Sequence, residues 1–300
     1  MENDIIAIVM AAGKGTRMKS KNSKLVQKIY GKEIVKRAVE NAEKAGVKDI
    51  VAVVGYKKEE VMKVLGDNIK YAFQDEMLGT GHAVMQAKEY LKGKKGKVLV
   101  LNGDVPLIRP ETLNKLIEKS IENKEYATLL TAIYDDPTGY GRIVRDEGGN
   151  IEGIVEEKDT TEEQKKITEI NAGIYCFDIE ALLEALEKIT PNNKQGEYYI
   201  TDVIQIMNNR GLKTGAVIVE DNTEILGIND RIQLGILTKV LQMRINTELM
   251  KHGVTIEDTN TTYIYDDVEI GMDTVIHPNT TIKSGVIIGE DCEIGPNSYI

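Results

Sequence analysis

Gly13 and Gly15 stand one residue apart, between an apolar run from Ile5 to Met10 and a set of cations: Lys14, Arg17, Lys19, Lys21 and Lys24 fall within eleven residues. A buried strand that empties into a glycine-rich, cationic turn is a grip for phosphate. Glycines without a Cβ let the backbone approach an anion, exposed N–H groups donate to it, and Arg17 and Lys24 balance its charge. The spacing argues against two familiar alternatives. A P-loop needs four residues between its glycines before Gly-Lys-Ser/Thr, whereas only Lys14 separates Gly13 from Gly15. A dinucleotide fingerprint needs a small residue three places after its second glycine, where this chain has Met18. The plainer alternative is a strand-to-helix turn with solvated cations. The segment predicts a chain that handles a nucleotide.

Two further segments could share that work. Asn102-Gly103-Asp104 follows the apolar run Val98 to Leu101, so Asp104 projects from the end of a predicted strand. A lone carboxylate there suits Mg²⁺, which takes few protein ligands and completes its octahedron with water and phosphate oxygens; a turn or helix cap is the other reading. Leu78-Gly79-Thr80-Gly81-His82 sets two glycines beside polar groups ahead of a helix, which fits backbone contact with a planar base or simply the loop that leads into that helix.

The elements that must position these residues alternate. Ile5 to Met10, Ile50 to Val54 and Lys97 to Leu101 read as strands, and Ile34 to Ala45 and Ala83 to Leu91 as helices, which implies an α/β domain with a mostly parallel, helix-covered sheet. Ligands of such sheets sit beyond the carboxyl ends of the strands, where the loop after Met10 and the Asn102-Gly103-Asp104 turn would share one cleft.

Near Asn229 the pattern changes. Ile232, Ile236, Val240, Met243 and Ile245 recur at helical spacing, predicting a connecting helix of about 23 residues and about 35 Å up to Gly253. Beyond it Ile264, Ile270, Ile276, Ile282, Ile288, Ile294 and Ile300 recur every six residues, and Val268, Thr274, Thr280, Val286, Cys292 and Ser298 stand four places after six of them. That period fits neither a helix nor a simple strand but suits a parallel β-helix with three hexads to the coil and isoleucines stacked inside. Six hexads make two coils, and an open coil end at Ile300 leads us to expect either a piece of a longer protein or an oligomer that shields the end.

With 41% hydrophobic residues, 300 residues suit one large or two moderate globular domains, and a formal net charge of −10 argues against a general nucleic-acid binder. No segment reads as a signal peptide or membrane span, which predicts a cytosolic protein without membrane insertion. Cys176 and Cys292 have neither metal-ligand nor disulfide spacing and read as small hydrophobes, and the scattered His82, His252 and His277 argue against zinc.

Taken in order, Ala11-Ala12-Gly13-x-Gly15-Thr16-Arg17-Met18, Lys24, Gln74, Leu78 to Ala83, Gly103-Asp104-Val105-Pro106, Asp136 to Arg142, Gly153 to Glu156, Glu169-Ile170-Asn171, Gln195 to Tyr199 and Gly227-Ile228-Asn229 resemble one family. It is the bacterial bifunctional enzyme that joins an N-acetylglucosamine-1-phosphate uridylyltransferase to a left-handed β-helix glucosamine-1-phosphate N-acetyltransferase. The resemblance implies a Rossmann-like nucleotidyltransferase domain over residues 1–229, a linker helix over 230–252 and a truncated left-handed β-helix over 253–300. It implies that Ala11, Ala12, Gly13 and Lys24 hold UTP, that Gln74, Gly79 and Thr80 read uracil, and that Asp104 and Asn229 bind Mg²⁺. Gly141, Glu156 and Asn171 would line the N-acetylglucosamine pocket, and Gly103 and Asn229 would also touch substrate. Ser23 and Asn102 depart from the pattern, since many relatives carry proline and an aromatic residue there.

The implied reaction is in-line attack of N-acetylglucosamine-1-phosphate on the α-phosphorus of UTP, with pyrophosphate leaving. The nucleophile is already anionic, so no protein base is needed, and Arg17, Lys24 and Mg²⁺ spread the charge. Acetyl transfer would need later coils of a longer, homotrimeric parent, so the present chain is expected to lack it. Two alternatives are an enzyme forming UDP-glucose, dTDP-glucose or ADP-glucose, and a non-catalytic sugar-nucleotide-binding module.

Overall fold

Ile6, Ala7, Ile8 and Val9 are all buried, because both faces of their strand are covered; that is why the run is continuously apolar instead of alternating. The computed structural model describes residues 5–300. The chain divides into one unit of Met1–Val26 with Ile34–Gly227, described from Ile5 onward, and a second of Gln27–Glu33 with Ile228–Ile300.

Among the described residues the first unit is built on a nine-stranded sheet. Seven strands run in the order Thr214–Ile218, Ala127–Ile133, Glu169–Asp178, Lys97–Asn102, Ile5–Ala11, Asp49–Val54 and Lys70–Phe73. Ile5–Ala11 is parallel to both its neighbours, and Asp49–Val54 is parallel to the edge strand. Glu169–Asp178 runs against both of its neighbours, so the sheet is mixed. It also pairs with the arm of Arg142–Arg145 and Ile151–Val155 at Ile170 and Arg142. The register that sets Met10 beside Asn102 brings the loops after both strands out at the same level.

The first helix runs Ile34–Lys44, close to the predicted span. The next prediction, Ala83 to Leu91, becomes two helices, Thr80–Gln86 and Lys88–Leu91. The earlier start has a tertiary cause. Gly79 takes φ +106°, the Gly81 N–H donates to the Tyr198 carbonyl at 2.7 Å, and Thr80 Oγ1 accepts the Ile200 N–H at 3.1 Å. A segment more than a hundred residues away thus pins the first turn.

The second unit opens with the helix Arg231–Lys251, of 21 residues. Asp230 caps it by accepting the Gln233 N–H at 2.8 Å, and Gly253 at φ +90° lies just beyond its end. The apolar stripe read from the sequence is not its buried face. Ile232 and Ile236 are 74% and 53% exposed and Met243 is exposed, whereas Leu237, Leu241, Gln242 and Asn246 are buried. Polar side chains occupy that face because they serve a loop: Gln242 Nε2 donates to the Thr259, Asn260 and Thr262 carbonyls, and Asn246 Nδ2 donates to those of Thr259 and Thr262.

Beyond the helix, parallel two-residue strands stack into coils. Tyr263 pairs with Thr281, Glu269 with Ile287 and Val275 with Glu293, each eighteen residues on, so three hexads make a coil. Ile264, Ile276, Ile282 and Ile288 are buried inside, with Thr274 and Thr280 in the companion positions. Asp273, Asn279, Gly285, Asp291 and Asn297, also six apart, all take positive φ at the corners, which asparagine, aspartate and glycine tolerate best. The hairpin of Lys28–Ile29 and Lys32–Glu33 belongs to this unit, with the Tyr30 ring edge-on to Tyr265 at 5.4 Å.

Candidate active site

One cavity of about 270 Å³ at the carboxyl end of the first unit's parallel strands is lined by Ala12, Gly13, Lys24, Gln74, Gly79, Thr80 and Asp104, with Met10, Leu25, Met77, Ala83, Asn102 and Glu197 completing it. Seven residues singled out from the sequence therefore share one concave surface. A Cβ on Gly13 would meet nothing within 4 Å, which leaves the backbone open to a ligand. Gly15 does something different. At φ +56° it lies against the Lys24 stem, and a Cβ there would stand 2.8 Å from Lys24 Cγ and Cδ. Its missing side chain makes room for the lysine.

Lys24 opens a short 3₁₀ turn, Lys24–Val26, and its Nζ donates to Asp104 Oδ2 at 2.5 Å. The two side chains are 9% and 23% exposed, so the pair is mostly withdrawn from water yet open on one side. Arg17 sits exposed on the turn Thr16–Met18, which buried Met18 anchors, outside the cavity lining. Ala11 ends its strand buried, and Gly103 is buried with its N–H donating to the Met10 carbonyl at 2.9 Å.

Gln74 is buried, and its Nε2 donates to the Gly79 carbonyl and contacts His82 Nδ1, both at 3.1 Å. Gly79 and Gly81 are pressed against the chain opposite: a Cβ on either would come within 3 Å of the Tyr198 carbonyl oxygen. The glycine pair thus lets the helix start pack closely against the Tyr198 segment, while Gly79 and Thr80 still face the cavity.

Gly141, Glu156 and Asn171 form a second cluster in the same unit. A Cβ on Gly141 would sit 3.4 Å from Glu156 Oε2 and 3.6 Å from Asn171 Cβ, and the Asn171 N–H donates to the Gly141 carbonyl at 2.8 Å. Burial pushes the Glu156 carboxyl above the usual carboxylate range, helped by Asp202, Asp159 and Glu197; the Thr201 hydroxyl, donating to Oε1 at 3.1 Å, opposes this. Asn171 Nδ2 donates to the Tyr175 hydroxyl at 2.7 Å, and Asn171 Oδ1 accepts the Gly173 N–H at 3.1 Å. Asn229 belongs to the second unit, where its N–H donates to Gln233 Oε1 at 2.7 Å.

Sequence reasoning gave no role to Asn102 or Glu197, both of which line the cavity. Asn102 could have been found as the residue that ends the apolar strand just before Asp104. Glu197 lies in a loop whose nearness to Gly79 is a tertiary fact without a local signal.

A mixed sheet with a glycine and lysine loop opposite a strand-end aspartate defines a class of protein, and a family model agrees. The nucleotidyl transferase family matches residues 6–259, and the chain belongs to that family. The bacterial transferase hexapeptide family, six repeats, matches residues 260–300. Among curated relatives, the chain is 53% identical over 297 residues to the bifunctional protein GlmU of Caldanaerobacter subterraneus subsp. tengcongensis, covering 99% of this chain and 65% of that protein. It is 49% identical over 294 residues to the bifunctional protein GlmU of Clostridioides difficile, covering 98% of this chain and 64% of that protein. The chain thus spans about two thirds of the length of these relatives, at 65% and 64%. A solved structure from Bacillus anthracis, described as a glucose-1-phosphate thymidylyltransferase, shares the fold: TM-score 0.64 at 21% identity, over 79% of this chain and 94% of that one. No described helix is long and apolar enough to cross a membrane.

Proposed function

We propose that the chain transfers UMP from UTP to N-acetylglucosamine-1-phosphate, giving UDP-N-acetylglucosamine and pyrophosphate. The observation that carries this reading is the single cavity into which Gly13, Lys24, Gln74, Thr80 and Asp104 converge. The near-full-chain similarity to GlmU proteins supports the choice of substrates.

Asp104 fits a Mg²⁺ ligand. One carboxylate oxygen accepts from Lys24, and among the described residues none donates a hydrogen bond to the other, which leaves it available to a cation that takes few protein ligands. Asp104 would hold the ion. When bound, Mg²⁺ neutralises triphosphate oxygens. The open backbone at Gly13 takes a phosphate, and the Lys24 ammonium holds a charge opposite the reacting phosphorus. Gln74, Gly79 and Thr80 orient the base, while Gly141, Glu156 and Asn171 hold the sugar. Arg17, on its exposed turn, offers its guanidinium to the departing pyrophosphate. Preorganised charge of this kind lowers the barrier because it needs no reorganisation as charge shifts between oxygens.

The test is pyrophosphate release measured with UTP, dTTP, CTP and ATP against N-acetylglucosamine-1-phosphate and glucose-1-phosphate. The expected result is a clear preference for UTP with N-acetylglucosamine-1-phosphate. A preference for dTTP or for glucose-1-phosphate contradicts the substrate assignment, and nucleotide binding without pyrophosphate release contradicts catalysis.

A further inference from the structure

Asn102 is the last residue of its strand and lines the cavity beside Asp104. Its Nδ2 donates to the Gly173 carbonyl at 3.3 Å. Gly173 takes φ +71°, and a Cβ there would stand 2.4 Å from Asn102 Nδ2, so the two residues are packed as closely as their atoms allow. Gly173 lies inside an irregularity of the strand Glu169–Asp178, whose register against Ala127–Ile133 shifts between Asn171 and Tyr175. Such a bulge re-aims the side chains at its ends. Here Asn171, at its start, lies against Gly141, to whose carbonyl its N–H donates, and Asn171 holds the bulge by accepting the Gly173 N–H.

We infer that Asn102 is a positioning residue for the sugar half of the site: its amide locks the bulge at Gly173 and thereby fixes the aim of Asn171. This rests on the proposed sugar pocket. The lock adds a side-chain tie between the strand that presents Asp104 and the strand that presents Asn171, beyond the backbone pairing of Tyr175–Asp178 with Lys97–Val100. An aliphatic side chain of the same size would fill the space without donating, and the Gly173 carbonyl would lose its partner. The loss falls on sugar recognition, because the Gln74, Gly79 and Thr80 contacts do not pass through the bulge.

The experiment compares Asn102→Leu, which keeps the volume and removes the donor, with Asn171→Ala and the double variant. Two readouts are used: amide exchange of Gly173 in ligand-free protein, and the affinities for UTP and UDP-N-acetylglucosamine. Asn102→Leu is expected to speed exchange at Gly173 and to weaken UDP-N-acetylglucosamine about tenfold, the scale of one lost hydrogen bond, and to weaken UTP by less. In the Asn171→Ala background the same substitution should add nothing to the affinity change. Unchanged exchange at Gly173, an equal loss for UTP, or full additivity in the double variant overturns the inference. Exchange that responds as expected while the wild-type protein fails to bind UDP-N-acetylglucosamine supports the lock and sinks the substrate reading alone.

Discussion

Lys24 Nζ stands 2.5 Å from Asp104 Oδ2 although 80 residues separate them in the chain. The sheet register makes this possible, because Met10 and Asn102 lie side by side and the chain leaves both strands in the same direction. A cation and a carboxylate held together at the mouth of a cavity suit a reaction in which a polyphosphate and a divalent ion arrive together. On the proposed reading the carboxylate would meet the ion and the ammonium a phosphate.

Gly15→Ala tests how the lysine is placed. The left-handed conformation at φ +56° costs an alanine about 1–2 kcal/mol, and the new methyl would push on Lys24 Cγ and Cδ. We expect lower stability to urea together with reduced pyrophosphate release. Turnover equal to wild type would show that the Lys24 stem does not depend on Gly15.

Glu156→Gln tests the buried carboxyl. Its pKa is raised by burial and by Asp202, Asp159 and Glu197, so the folded protein holds that proton more tightly than the unfolded chain does. The stability associated with this group is therefore full below the ordinary glutamate range and is lost as pH rises through the raised value. Glutamine never ionises, so the variant should melt higher than wild type near pH 7.5 and close to it near pH 4. A variant that melts lower at neutral pH and unchanged in acid would contradict the sign.

Leu237→Ala and Ile236→Ala test which face of the helix Arg231–Lys251 is packed. Leu237 is 1% exposed and Ile236 53% exposed. Truncating the first should cost about 2–5 kcal/mol and truncating the second less than about 0.5 kcal/mol. Equal losses in thermal or urea unfolding would sink this assignment.

The contrast on that helix shows where the sequence was readable. The hexad period was legible because isoleucine recurs at every sixth place, and the eighteen-residue pairing of Tyr263 with Thr281 follows from three such hexads. The helix was legible in length but not in its buried face. Gln242 and Asn246 go inside to meet loop carbonyls, and a hydrophobic periodicity cannot register a polar residue buried for hydrogen bonding. In the site, Gly13, Lys24 and Asp104 stood out because glycine and charge at strand ends have local causes. The lock between Asn102 and Gly173 joins segments 71 residues apart, and nothing within either segment announces it.

The central claim is that Asp104 and the cationic loop work together on a triphosphate. Its most direct test is the initial rate of pyrophosphate release from UTP and N-acetylglucosamine-1-phosphate at saturating Mg²⁺, compared between wild type, Asp104→Asn and Arg17→Ala, each checked for an intact fold by thermal melting. The account predicts that each variant stays folded, that Asp104→Asn loses about 10²–10³ in rate, as expected for removal of one preorganised electrostatic contact, and that Arg17→Ala loses rate as well. Near-normal turnover by either folded variant would contradict it.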